Sequence, residues 1–183
     1  MAKVPGTGRA GSKRYVAFLR GVSPLNAKMP ELKRAFELAG FEDVRTVLSS
    51  GNVVFSARAT SESALQRKAA RAMTQHLGKA FVTFIRSLDD LITLLESAPY
   101  AGFQAKRDFK RVVTFLDAKP ERALALPIEI KGGRILSAKG REVFGDYRES
   151  DSGPAFMNLL QKTFGRSITT RTWQTVEKVS RVS

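Results

Sequence analysis

Residues 48–55 read LSSGNVVF. Val44, Thr46 and Val47 lead into this stretch, and Val53, Val54 and Phe55 lead out of it. β-branched and aromatic residues favour the extended chain. Between the two runs stand Ser49, Ser50, Gly51 and Asn52. Gly and Asn accept positive φ at little cost, so the pattern predicts a tight hairpin between neighbouring strands. The turn is expected on the surface, presenting two hydroxyls and an amide.

Working outward, RYVAFLR at residues 14–20 has strand composition and stops at Gly21. The loop VSPLNAK follows, and Pro30 suits the first turn of a helix carrying Leu32, Ala35, Phe36 and Ala39 at helical spacing. After the hairpin, residues 60–77 form a second amphipathic helix with Leu65, Ala69, Ala72 and Met73 on one face, stopped by Gly78. AFVTFIR at 80–86 is a further strand, and the Leu-rich segment after Ser87 is a third helix ended by Pro99. The order is β-α-β-β-α-β plus a helix, the split βαβ or ferredoxin-like arrangement. Phe18, Phe36, Phe55 and Phe84 are expected on one side of this sheet.

The pattern starts again after a polar connector at 99–107. RVVTFL at 111–116 is a strand, 120–126 a short helix opened by Pro120, and 128–130 with 134–136 a hairpin across Gly132-Gly133. Residues 142–144 extend that sheet, 154–164 is a helix with Phe156, Leu159, Leu160 and Phe164 on one face, and 167–170 is a short strand. A last helix gathers around Trp173, Val176 and Val179. The expected fold class is therefore α+β, with two ferredoxin-like (βαββαβ) halves, each with an extra C-terminal helix. The organisation is a flexible basic tail at 1–13, one half at 14–98, the connector, and a second half at 108–183.

Composition bounds the chemistry. The 183 residues contain no cysteine and one histidine, His76. Disulfides, thiolate catalysis and Cys-based zinc sites are excluded, and multi-His metal sites and a Ser-His-Asp relay lack support. No metal or cofactor is expected. His76 reads as a helix-terminal residue beside the C-terminal dipole. The apolar runs are too short for a membrane helix and the N-terminus lacks a signal-type apolar region, so a cytoplasmic location without membrane contact is expected. Lys+Arg 31 against Asp+Glu 17 gives a net charge of +14. That balance favours anionic partners, either a phosphate-bearing ligand or nucleic acid.

Three stretches together carry a resemblance: YVAFLRGV at 15–22, VRTVLSSGNVVF at 44–55 and ITTRTWQTVEKV at 168–179. In that order they resemble the bacterial domain-of-unknown-function 1697 family, whose members carry YVALLRGINVGG-like, SGNVVF-like and TTRNWNTV-like segments. The resemblance covers nearly the whole chain from Tyr15, loosest in the connector and over residues 146–154, and implies a compact α+β protein built on ferredoxin-like halves. It brings no activity with it and no catalytic residues. The chain departs from the pattern in two places. SPLNAK replaces a Gly-pair loop, which weakens a phosphate cradle there, and Thr172 and Gln174 replace two Asn-like positions.

Candidate ligand-binding residues follow from local chemistry. Arg20, Ser23, Asn26 and Lys28 flank the start of the first helix, whose free N–H groups suit an anion. Ser49, Ser50 and Asn52 offer polar groups in the hairpin turn, although no base for a serine nucleophile is adjacent. Arg171 stands beside Trp173 among hydroxyls, in a group able to stack on and hydrogen-bond a ligand, or simply to be solvated. An RNA-binding sheet needs aromatics on its open face. With Val16 and Phe18 toward the helices, only Tyr15 on the first strand would serve. Three functions fit these features: binding of an anionic or phosphate-bearing ligand, an enzyme acting on a small phosphorylated or nucleotide-like molecule in a cleft between the halves, and a nucleic-acid-binding or self-associating protein that pairs through a sheet edge.

Overall fold

The structure is a computed structural model that describes residues 11–182. It is a mixed α+β protein with two antiparallel sheets and five helices among the described residues. The chain divides between Asp89 and Asp90 into two compact units. Most of the expected tail lies outside the described residues; of its last positions, Ser12 and Lys13 already belong to the first strand.

In the first unit β1 (Ser12–Leu19), α1 (Met29–Leu38), β2 (Glu42–Val47), β3 (Asn52–Arg58), α2 (Glu62–Leu77) and β4 (Thr83–Ser87) follow the expected order. The sheet runs β2-β3-β1-β4, and every pairing is antiparallel. β1 and β2 lie on opposite sides of β3, as a split βαβ crossover requires. Sequence and geometry agree at the helix ends. Pro sits in the first turn of α1, the Ser61 hydroxyl accepts from the Ala64 N–H to cap α2, and Gly78 closes α2 in the left-handed region.

The core of this unit sets Leu32 and Phe36 of α1 and Leu65, Ala69 and Met73 of α2 against Tyr15, Ala17, Leu19, Val53, Phe55 and Ile85 of the sheet. Phe41 and Phe55 pack with ring centroids 4.4 Å apart, and Phe36 meets Phe55 edge-on at 5.7 Å. Such contacts add to the free energy of burying the rings. This core corrects the expected strand orientation. Tyr15, Ala17 and Leu19 face the helices, so Val16 and Phe18 point the other way. Phe18 lies directly across from Phe84, and the four phenylalanines do not share one side. Val16, Phe18 and Val54 are nevertheless fully buried, so this face offers no open stacking platform for bases.

The second unit departs further from expectation. α3 (Leu88–Glu96) spans the division between the units, and then β5 (Lys110–Leu116), β6 (Ile128–Ile130), β7 (Gly133–Lys139), β8 (Glu142–Tyr147), α4 (Glu149–Phe164), β9 (Ile168–Thr172) and α5 (Trp173–Ser180) follow. No helix forms at 120–126, so this half does not follow the βαββαβ order. Only six residues separate Pro120 from Pro127. A residue before proline is held out of the α region, and what remains is too short to nucleate a helix. Instead burial alternates from Leu124 to Ile130, with Leu124, Leu126, Ile128 and Ile130 the half-buried positions. LALPIEI is a period-two pattern, and it adds a strand to the sheet edge. α4 also starts earlier than expected and holds Pro154 inside it.

The sheet order is β6-β7-β8-β5-β9. Without β6 it repeats the first sheet, with β7, β8, β5 and β9 in the places of β2, β3, β1 and β4. Phe156 and Leu160 of α4 pack on Val112, Ile135, Val143 and Tyr147. Gly145 allows this approach, since a Cβ there would stand 2.9 Å from the Phe156 ring and 2.7 Å from the Arg134 carbonyl oxygen.

Candidate functional site

The expected residues of the first unit collect at one end of its sheet. β1 ends at Leu19, whose N–H donates to the Gly51 carbonyl at 2.8 Å. A Cβ on Gly51, which has φ +77°, would stand 2.7 Å from Val22 Cβ. The hairpin turn is thereby seated against the loop that follows β1, and the two groups meet. Their polar atoms are largely engaged in building those loops. Asn26 accepts from the Ser23 N–H at 2.9 Å and donates to the Gly21 carbonyl at 2.7 Å. Lys28 is exposed and stands 3.8 Å from Glu31. Asn52, expected on the surface, is fully buried and donates to the Val47 carbonyl at 2.9 Å and to Ser50 Oγ at 3.1 Å. Leu48 and Gly51, rather than Asn52, take positive φ in this turn. Ser49 and Ser50 remain exposed, and Arg20 and Ser23 are half-buried.

Arg171 belongs to the second unit and is not solvated. It is buried, and its Nη1 donates to Thr169 Oγ1 and to the Thr170 carbonyl, both at 2.9 Å. Burial pushes its pKa down to about 10, which leaves it charged at neutral pH. Trp173 meets Tyr100 edge-on at 5.1 Å, and the Tyr100 hydroxyl donates to the Val112 carbonyl at 2.5 Å. Thr172 caps α5 by accepting from the Thr175 N–H at 3.2 Å. This segment acts as an anchor for the last helix.

A second arginine of this unit is fixed by a carboxylate. Arg134 and Asp146 lie opposite each other on β7 and β8, and both are buried. The guanidinium is held bidentately, with Nε donating to Oδ1 at 2.8 Å and Nη2 to Oδ2, while Nη2 also reaches the Gln104 carbonyl at 3.1 Å. The pair ties the connector to the sheet.

A group of cations outside any ion pair among the described residues lies at the opposite end of the first sheet. A groove of about 890 Å³ is lined by the start of β1 at Gly11 and Ser12, the end of β3 at Arg58, the α1–β2 junction at Gly40 and Glu42, and α2 at Lys68 and Arg71. Arg58, Lys68 and Arg71 bring three cations to this lining, which also holds one acidic residue, Glu42. None of the three cations takes part in an ion pair among the described residues. Lys68 Nζ sits 4.8 Å from the centroid of the Phe41 ring. Gly40, at φ +78°, closes α1 and turns the chain so that Phe41 enters the core while Glu42 opens β2 at the groove. Lys68 and Arg71 are three apart on α2 and therefore share a helix face. Sequence reading missed this site because its parts come from four segments between Gly11 and Arg71. The one local signal was that i, i+3 pair of cations.

Among the described residues there is no group of three or more His, Asp or Glu placed to hold a metal ion. No helix there is long and apolar enough to cross a membrane.

The family model described as "Protein of unknown function (DUF1697)" matches residues 12–144. The chain belongs to this family. The match to the domain-of-unknown-function 1697 family takes in the whole first sheet, the groove and the second unit as far as β8. Among solved structures the chain is similar to the conserved bacterial protein SP0830 from Streptococcus pneumoniae. The identity is 21%, the TM-score 0.66, and the alignment covers 93% of this chain and 98% of that one. A likeness at that identity establishes the fold. No curated protein matches the chain.

Proposed function

We propose that this protein binds a phosphate-bearing ligand of nucleotide size in the groove of its first unit. The observation that carries the reading is that Arg58, Lys68 and Arg71 line one groove and none of them is ion-paired among the described residues. Cations left unpaired at the wall of a concave site attract and hold an anion more strongly than cations spread over a convex surface. The volume of about 890 Å³ falls within the range usual for small-molecule sites, roughly 300–1,000 Å³. The end of the sheet carrying Arg20, Ser23, Asn26, Lys28, Ser49, Ser50 and Asn52 is the weaker candidate, since Asn26 and Asn52 are spent on loop structure. The accompanying reading of the fold is that both units vary one ferredoxin-like plan, which the common strand order supports. Residence in the cytoplasm fits a nucleotide-like ligand.

Fluorescence anisotropy of a labelled nucleoside triphosphate tests this. The variant Lys68→Gln/Arg71→Gln should lose affinity about tenfold or more, whereas Lys139→Gln/Lys162→Gln should lose little. Affinity should also fall as salt rises. Equal small losses in the two variants would reduce the attraction to diffuse net charge and remove the groove as a site.

A further inference from the structure

The face of the first sheet turned away from α1 and α2 carries Arg14, Val16 and Phe18 of β1. Strand register places Ser56 of β3 directly across from Arg14, and Arg86 of β4 across from Val16, one step along the same face. Ser56 and Arg86 are both buried. Arg86 has acceptors: its Nη1 donates to the Ile85 carbonyl at 2.9 Å and lies 3.9 Å from Glu62 Oε2. Arg14 differs. Its Nε and Nη2 are both buried and meet no hydrogen-bond acceptor among the described residues.

Those two nitrogens form a single edge of the guanidinium. Their N–H groups are parallel and match two oxygens of one carboxylate or phosphate. Charged donors removed from water without an acceptor are strongly unfavourable. The geometry points to an acceptor that occupies this edge: we propose that Arg14 holds an oxyanion there, through two of its oxygens. A water oxygen can accept from both donors but carries no charge to offset the guanidinium, whereas an oxyanion supplies two oxygens and a negative charge. The Ser56 hydroxyl, directly opposite, is a neutral donor of suitable reach. Arg14 as a whole is only half-buried while the edge itself is covered, so the side chain must swing outward to admit the ion. The site is separate from Lys68 and Arg71, which stand on α2 over the other face of the sheet.

The test is side-chain NMR of the full chain labelled with nitrogen-15 arginine, with the Arg14 Nε–H assigned by through-bond correlation from its own backbone. Inorganic phosphate is titrated in one arm and acetate in the other, with chloride holding ionic strength constant. The expected result is a saturable shift of the Arg14 Nε–H at millimolar phosphate or lower, retained in Lys68→Gln/Arg71→Gln. Saturation by phosphate alone would assign the site to phosphate groups, and saturation by both would assign it to oxyanions in general. The same phosphate should raise the Tm of the unmodified protein by more than that of Arg14→Lys, which keeps the charge and loses the fork. A shift that grows linearly and equally with every salt would mean an adventitious ion only and would overturn the proposal. Because the NMR arm uses the unmodified protein, a variant that fails to fold leaves the result standing. Loss of nucleotide binding in the groove variant with the Arg14 shift intact separates the two sites.

Discussion

The two units put four strands in the same spatial order and connect the first two of them differently. Between β1 and β2 the chain runs through α1, and between β5 and β7 it runs through a loop and the short strand β6. Either path leads to the strand two places away in the sheet, and the order survives the exchange. What changes is the cover. Two helices close the core of the first unit, whereas α4 and the alternating residues Leu126, Ile128 and Ile130 close that of the second. The strand order thus depends on which strands meet, and the connection is free to vary wherever another element buries the same apolar face.

That comparison can be broken most severely at the cores. Phe36→Ala in the first unit and Phe156→Ala in the second should each cost about 3–5 kcal/mol, since both rings are fully buried. Urea melts measure it, and a loss below about 1 kcal/mol in either would mean that the helix is not the cover. A somewhat smaller effect separates the units by their buried ions. Arg134→Met should destabilise by about 3 kcal/mol, because it strands the Asp146 carboxylate, while Arg134→Met with Asp146→Leu should recover most of the loss. If the double variant is no better than the single one, the pair does more than neutralise itself.

Helix caps give a finer test on matched positions. Ser61→Ala at α2 and Thr172→Ala at α5 should each cost about 1 kcal/mol. α1 begins at Lys28 with no side-chain cap, so Lys28→Ser should instead gain about 0.5 kcal/mol, with its exposed contact to Glu31 of little weight. The smallest signal is spectroscopic. Burial raises the pKa of both Tyr100 and Tyr147, tyrosines of the second unit. As pH rises past the ordinary tyrosine value near 10, the unfolded chain loses these protons and the folded chain keeps them. Stability from these groups is therefore full below about pH 10 and declines above it. Absorbance at 295 nm should show Tyr100 ionising only as the second unit unfolds, and Tyr100→Phe should remove that late step. A Tyr100 that titrates near 10 in the folded protein would contradict its burial.

Much of the first unit was legible because its elements are local and punctuated. Gly21, Pro30, Gly40, Gly51 and Gly78 mark the boundaries, and α1 and α2 carry clean helical stripes. The second unit was misread where two signals competed. Pro120 suggested a helix start, but LALPIEI alternates every second residue, and Pro127 makes the alternation decisive. The candidate site was less legible. Arg20, Ser23, Asn26 and Lys28 are neighbours in the chain, but folding uses the amide of Asn26 to close the loop. Arg58, Lys68 and Arg71 become neighbours only when the ends of β1 and β3 come against α2.

By itself the sequence determined the α+β class, the hairpin around Gly51, the family, and a net charge of +14. It could not determine which side of β1 meets the helices. Tyr15, Val16, Ala17, Phe18 and Leu19 are apolar at every position, and all five are buried. A strand reports its inward face by alternating polar with apolar residues, and one buried on both sides has no alternation to report. Tertiary packing made that choice. It seated Tyr15, Ala17 and Leu19 under α1 and α2, and so left Arg14 on the other face, opposite Ser56.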